Sequence, residues 1–237
     1  PKTENVYRIE LEEEQRKLYL AAVVDAREKL RAAKPEDKMT VFAVLMRLRE
    51  ICCDPRLVAD NWTGSSAKLE ACLELVTEAV AGGHRILLFS QFTSMLELLA
   101  KRLDEAGVSH FTLQGSTPKP VRAEQVRRFN QGEADVFLIS LRAGGTGLNL
   151  TAADIVIHYD PWWNVAAQNQ ATDRAYRIGQ RNPVQVYRLI AQDTIEEKIV
   201  ELQQAKQSLA DTVTGGADGA ILSMNPEQLL QLLGEEA

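Results

Sequence analysis

Beyond residue 84 the chain alternates short apolar runs rich in branched side chains with stretches of helical periodicity, and this rhythm restricts its fold more than any other feature. The strand candidates are residues 85–90, 109–113, 135–140, 154–159 and 184–190. Helical spacing occupies 93–106, 120–130 and 164–177 and resumes from 194 onward. Runs of this kind, apolar on both faces and separated by helices, build a mostly parallel sheet covered on both sides. The functional loops of such a sheet lie at the carboxyl ends of its strands.

The first sixty residues read as all-helical. Leu11, Leu18, Ala22, Ala26 and Leu30 keep helical spacing, as do Val41, Phe42, Leu45, Leu48 and Cys52. The Lys34-Pro35-Glu36-Asp37 break separates these helices, and Asp54-Pro55 ends the second, because a residue before proline is pushed out of helical geometry. A linker follows at 60–64, then Ser65-Ser66 as a helix cap. Near the end, a Gly-rich break at 215–219 precedes Asn225-Pro226, a capping pair that opens a short amphipathic helix with Leu229, Leu230, Leu232 and Leu233. The expected division is a helical portion at 1–62, an α/β lobe at 63–205 and a helical extension at 206–237.

At 237 residues, 45% hydrophobic and 25% charged, the chain has the composition of an ordinary globular protein with a sizeable core. No apolar run approaches the roughly 20 residues a membrane helix needs, so no membrane partner is expected. Cys52, Cys53 and Cys72 lack metal-ligand spacing and read as buried, reduced thiols. A net charge of −6 excludes nucleic-acid binding by bulk basicity, so any such contact must be local. Arginines do cluster at Arg122, Arg127 and Arg128 and again at Arg174, Arg177, Arg181 and Arg188, a pattern that a solvated helix face also produces.

Several strand-exit loops have the composition to hold phosphate. Residues 140–149, Ser-Leu-Arg-Ala-Gly-Gly-Thr-Gly-Leu-Asn, place three glycines where backbone N–H groups can approach an anion. A tight turn is the plainer account. The run lacks the third glycine and the later acidic residue of a dinucleotide fingerprint. Gln114-Gly115-Ser116-Thr117-Pro118 is a second such loop, with an ordinary turn as its alternative. Arg174 and Arg177 share a helix face and are spaced to clamp a phosphoryl group in transfer, or equally to form a surface pair bridged to Asp173. Of Trp162 and Trp163, adjacent and therefore oppositely directed, one should be buried and the other near the surface.

Taken in order, Leu-Leu-Phe-Ser-Gln-Phe (87–92), Leu-Gln-Gly-Ser-Thr-Pro (113–118), Ser-Leu-Arg-Ala-Gly-Gly-Thr-Gly-Leu-Asn-Leu (140–150), Asp-Pro-Trp-Trp-Asn (160–164) and Gln-Ala-Thr-Asp-Arg-Ala-Tyr-Arg-Ile-Gly-Gln (170–180) resemble the C-terminal motor-domain motifs of SWI/SNF-type ATPases of helicase superfamily two. The resemblance runs from Leu48 to Leu202. It implies an α/β, RecA-like lobe of three layers, α/β/α, closing on a first RecA-like lobe around ATP with Mg²⁺ while double-stranded DNA crosses both.

Residue by residue, the resemblance implies that Arg174 and Arg177 are arginine fingers and that Gln170 is a polar contact to the nucleotide or its attacking water. It makes Gly145 and Gly147 part of the loop coupling nucleotide to DNA. The DNA contacts it implies are Ser90, Gln91, Gly115, Ser116, Arg142 and Ala143, with Trp162 and Trp163 near the DNA path. Tyr176 stands where His is frequent, and Val165 and Gln168 stand where Pro and Glu are common.

A Gly-rich loop ending in Lys-Ser or Lys-Thr and an acidic metal partner are missing from the sequence, and Gly64-Ser65-Ser66-Ala67-Lys68 has the wrong spacing to replace them. The nucleotide and its Mg²⁺ should therefore be held mainly by the first lobe, leaving this chain inactive alone and Lys68 structural. Three alternatives stay open: a strand-separating helicase lobe, a non-catalytic module binding DNA or protein, and, more distantly, a dinucleotide enzyme. The acidic balance and compact helical insertion favour a bacterial cytoplasmic, nucleoid-associated setting over a nuclear one. A DNA-bound protein is a further partner the resemblance suggests.

Overall fold

A computed structural model of the chain describes residues 2–140, 148–162, 165–173, 182–210 and 224–234. These divide into two compact units, each drawn from separate parts of the sequence.

The first unit, Pro1–Ile9, Lys68–Trp162 and Ala166–Ile190, is the α/β lobe. Its strands are β1 (Lys2–Ile9), β2 (Ile86–Ser90), β3 (His110–Leu113), β4 (Val136–Ser140), β5 (Ile155–His158) and β6 (Val184–Ala191), in the order β1-β6-β5-β2-β4-β3. The pairs β2–β4, β2–β5, β3–β4 and β5–β6 are parallel. Central β2 and β4 are buried at every position, the signature of strands covered on both faces. In chain order α3 (Ala67–Ala81), α4 (Thr93–Glu105), α5 (Lys119–Asn130) and α6 (Val165–Asp173) supply the helices of this α/β, RecA-like lobe.

Gly107 and Gly132, with φ of 71° and 90°, end α4 and α5 in left-handed turns that a side chain would strain, and so return the chain to the sheet. One face of the sheet carries a core of Leu87, Phe89, Phe137, Ile139, Val156 and Val186 against Phe129 of α5 and Trp162. The order reverses about β2, which has β4 on one side and β5 on the other, so the crevice favoured for ligands lies beyond its carboxyl end.

The second unit, Glu10–Ala67, Trp163–Val165 and Ala191–Ala237, is helical. In it α1 (Glu13–Ala32) pairs with α2 (Lys38–Cys53), α7 (Ile195–Ala210) packs on α2, and α8 (Pro226–Leu233) packs on both hairpin helices. Asp37 caps α2 by accepting from the Thr40 N–H at 3.0 Å, and Asn225 with Gln228 forms a capping box on α8. Asp54 closes α2 and caps the 3-10 turn Pro55–Leu57. Buried Gln15 donates to the Ile51 carbonyl and accepts from the Ala67 N–H, while the Ser66 hydroxyl donates to the Cys53 carbonyl. All three cysteines are buried thiols outside any disulfide, and burial pushes the Cys72 thiol up to about 12.

Two expectations need correction. The N-terminal segment is not all helix, since β1 extends the sheet beside β6, with Tyr7 meeting Tyr187 edge-on at 5.3 Å and Glu4 reaching Arg188 at 3.3 Å. An edge strand with most side chains exposed leaves no buried stripe to read. The helical portions at the two ends are also not separate, because α1 and α2 share one core with α7 and α8.

Candidate functional site

At the carboxyl ends of β2, β3 and β4 a groove of about 490 Å³ is lined by Gln91, Thr93, Gln114, Gly115, Ser116 and Ser140. It brings together three expected DNA contacts, Gln91, Gly115 and Ser116. Among the described residues the lining is neutral and rich in hydroxyl, amide and backbone donors, as suits an anionic backbone met without reading bases.

What holds the rim is buried beneath it. Ser90 and Ser140 are register partners at the ends of β2 and β4. The Ser90 hydroxyl donates to Asp160 Oδ1 at 2.6 Å and accepts from the Phe92 N–H at 3.1 Å. Asp160, wholly buried, also accepts from the Gln91 N–H at 3.2 Å, and the Gln91 side chain donates to the Pro161 carbonyl at 3.0 Å. Ser90 therefore differs from its expected place on the DNA surface: its side chain is inside, tying the exit of β2 to the segment after β5.

The opposite wall, 114–117, is organised by Arg122 of α5. Its guanidinium donates to the carbonyls of Thr117 at 2.9 Å, Gly115 at 3.1 Å and Gln114 at 3.3 Å. With those carbonyls occupied by one planar donor set, Gly115 and Ser116 stay exposed at the tip. The sequence presented Arg122 only as one of a basic cluster. Its two cluster mates are engaged elsewhere, Arg127 with Glu124 and Arg128 with Glu133.

Trp162 is buried, 2% exposed, and packed at 5.9 Å on Phe89 and 5.6 Å on His158. That packing, rather than a surface contact, is what its position offers. Lys68 is also fully buried, its ammonium 5.3 Å from the Tyr159 ring centre. Gln170 is exposed on α6. Arg142, Ala143, Gly145, Gly147, Trp163, Arg174 and Arg177 lie outside the described residues.

The helix that leads into the two arginines is fastened to the sheet through polar groups that the sequence did not single out. His158 Nε2 lies 3.0 Å from Thr172 Oγ1, and the Thr172 hydroxyl donates to the Gln168 carbonyl at 3.2 Å. Burial, reinforced by the charge of Arg188, drives the His158 imidazole down to about 3, so the ring is neutral. With its amide oxygen toward Arg188, Gln168 accepts from Nε at 2.9 Å and Nη2 at 3.1 Å.

Comparison with known proteins bears on this arrangement. Residues 67–179 match the helicase conserved C-terminal domain. An ATP-dependent helicase of Mycoplasma pneumoniae, itself uncharacterised, is 37% identical over 231 residues, covering 97% of this chain and 22% of its own. The SWI2/SNF2 ATPase C-terminal domain of Sulfolobus solfataricus superposes with a TM-score of 0.82 at 27% identity over the whole of both chains. The core of that ATPase in complex with dsDNA gives 0.82 at 30% identity, covering all of this chain and 50% of its own. The chain thus spans about a fifth of the length of the curated relatives it matches first.

Proposed function

Because the chain belongs to the helicase C-terminal domain family in its SWI/SNF form, we propose that it is the second motor lobe of an ATP-dependent translocase on duplex DNA. The observation that carries this reading is the neutral groove at the carboxyl ends of β2, β3 and β4, where Gln91, Gly115 and Ser116 converge beside the sheet's reversal point. A solved relative of the same fold is a complex with dsDNA.

In this reading DNA backbone phosphates are met by the exposed Gly115–Ser116 tip and by Gln91, while Ser90, Asp160 and Arg122 hold those contacts in place. Arg174 and Arg177 reach a nucleotide bound by the first RecA-like lobe and stabilise the dispersed charge of the transferring phosphoryl group. An arginine finger of this kind is worth about 10³ to 10⁵ in turnover. Gln170, exposed on α6, contacts the nucleotide or its attacking water. Among the described residues no three His, Cys, Asp or Glu side chains converge as a metal site, so Mg²⁺ is assigned to no residue here and no step is routed through it. Lobe closure on ATP and reopening after hydrolysis then shift the grip on the phosphate backbone. Since those contacts position without specifying bases, sequence preference is weak.

The test is ATP hydrolysis with and without duplex DNA, comparing this chain, the full-length protein and the full-length protein carrying Arg174→Ala and Arg177→Ala. DNA-stimulated turnover in the unmutated full-length protein alone is the expected result. Full turnover in the double variant sinks the finger assignment and leaves a DNA-binding module. Displacement of a strand by the full-length protein makes it an unwinding helicase instead.

A further inference from the structure

Beneath α6 the sheet carries a row that changes character from one strand to the next. Phe89 of β2, His158 of β5 and Arg188 of β6 are register neighbours, so an aromatic ring, an imidazole and a guanidinium stand side by side. Phe89 and His158 stack at 5.6 Å, and His158 is 1% exposed. A histidine buried this deeply among apolar rings is costly unless its polar atoms are used.

The atom in use is Nε2. The Thr172 hydroxyl stands between His158 Nε2 at 3.0 Å and the Gln168 carbonyl at 3.2 Å, within hydrogen-bond reach of both. Nδ1 is buried without a hydrogen-bond partner. One attachment of α6 to the sheet therefore joins His158 Nε2 and Thr172 Oγ1. The second runs from Arg188 to the Gln168 amide, and Arg188 is itself steadied by Glu4 of β1 at 3.3 Å. Thr172 and Gln168, four apart, lie on one helix face, 0% and 5% exposed. The backbone hydrogen bonds of a helix fix its shape and not its place on a sheet. Two attachments one turn apart, to two different strands, fix both its roll and its axial position.

Asp173 is the last described residue of α6; in sequence Arg174 comes next and Arg177 three positions later. We infer that His158 and Arg188, acting through Thr172 and Gln168, are positioning residues that set the roll and axial position of α6 at Gln168–Thr172, and through it act on the two arginines that come next in sequence. This rests on the reading of those arginines as catalytic given above. None of the four need touch nucleotide or DNA.

The experiment uses the full-length protein at saturating duplex DNA. Thr172→Val keeps the shape and removes the hydroxyl, and Thr172→Ser restores it. Misplacement of a reacting group by about 1 Å costs up to about 100-fold. The expected result is a fall in kcat of about 10-fold in Thr172→Val, with KM for ATP and duplex affinity within about twofold of the parent and turnover regained in Thr172→Ser. A merely structural bond gives a lower melting temperature with unchanged kcat well below melting, and that outcome overturns the proposal.

If Thr172→Val does not fold, His158→Gln, whose amide keeps a hydrogen-bonding group, is compared with His158→Leu. Equal turnover in that pair overturns the proposal, and turnover kept only in His158→Gln supports it. The Arg174→Ala, Arg177→Ala protein separates the two levels of the argument. If it is inactive while Thr172→Val works normally, positioning fails and the finger assignment stands. If it is fully active, the finger assignment fails and takes the positioning role with it.

Discussion

At the scale of single residues, the groups that hold the site were the hardest to see in the sequence. Ser90 and Trp162 were legible as members of a motif, yet only the packed structure shows that one hydroxyl serves buried Asp160 and that the indole packs on Phe89 and His158. A one-dimensional pattern reports which residue types occur together and says nothing of which side of a strand end they face. His158 gave no signal at all, because a histidine in an apolar strand has the same look whether it is bonded or idle. Its buried, neutral state has a measurable consequence. The folded imidazole titrates near 3 and the unfolded one near 6.5, so between those values the unfolded chain takes up a proton that the folded chain refuses. The stabilisation is fully present above pH 6.5 and is lost as the pH falls toward 3. At pH 5 the loss amounts to about 2 kcal/mol. Urea unfolding at pH 7.5 and pH 5 should show His158→Phe losing about 2 kcal/mol less than the parent chain. Equal losses in the two proteins would mean that His158 is not held neutral. His84 and His110 are present in both and cancel in the comparison.

Among elements, α5 and the loop it supports behave as one device. Arg122 donates to three successive-loop carbonyls, those of Gln114, Gly115 and Thr117, and so acts on the groove without lining it. Arg122→Ala frees the loop to relax, and the cost of about 1 to 1.5 kcal/mol for lost charged hydrogen bonds corresponds to roughly 5- to 10-fold weaker duplex binding by the full-length protein. Arg122→Lys should not rescue it, since a single ammonium cannot reproduce a planar fork spanning three oxygens. Full rescue by lysine, or no loss in alanine, would show that the loop keeps its shape unaided. The five parallel strands and their helices were readable because fully buried strands announce themselves as apolar runs between glycine turns: 85–90 and 135–140 became Ile86–Ser90 and Val136–Ser140. The Asn225 cap was readable for a similar reason, a local hydrogen bond written in local sequence. Strand β1 was not, because its order comes from pairing with β6, some 180 residues away in sequence, and its own side chains are mostly outside. The cap at Ser65-Ser66 was misread for the same cause, since the Ser66 hydroxyl is engaged with the Cys53 carbonyl and the Ala67 N–H is met by Gln15, distant in sequence.

For the whole molecule, the proposed grip on duplex DNA has to be reconciled with a net charge of −6. Two net-negative bodies repel at long range, so the contact has to be made locally and at short range. The lining of the groove, two glutamines, two serines, a threonine and a glycine, meets that requirement, and phosphate oxygens accept readily from hydroxyl, amide and backbone N–H donors. Neutral donors differ from lysine and arginine in one measurable respect. They add affinity without displacing counterions, whereas each neutralised phosphate contributes about −0.9 to the slope of log K against log salt. In the full-length protein, Ser116→Ala should therefore lower duplex affinity by a similar factor at every salt concentration, moving the line down without tilting it. Replacing an arginine that touches phosphate should instead make the slope shallower by about 1. Arg122→Ala belongs with Ser116→Ala on this test, because its guanidinium is committed to carbonyls and acts on DNA only through the loop. Titrations of duplex into each variant between about 50 and 200 mM salt cover the range in which such slopes are resolved. A slope that flattens in Ser116→Ala or in Arg122→Ala would place a counterion-releasing contact at that position and remove the neutral groove as the principal grip on the backbone.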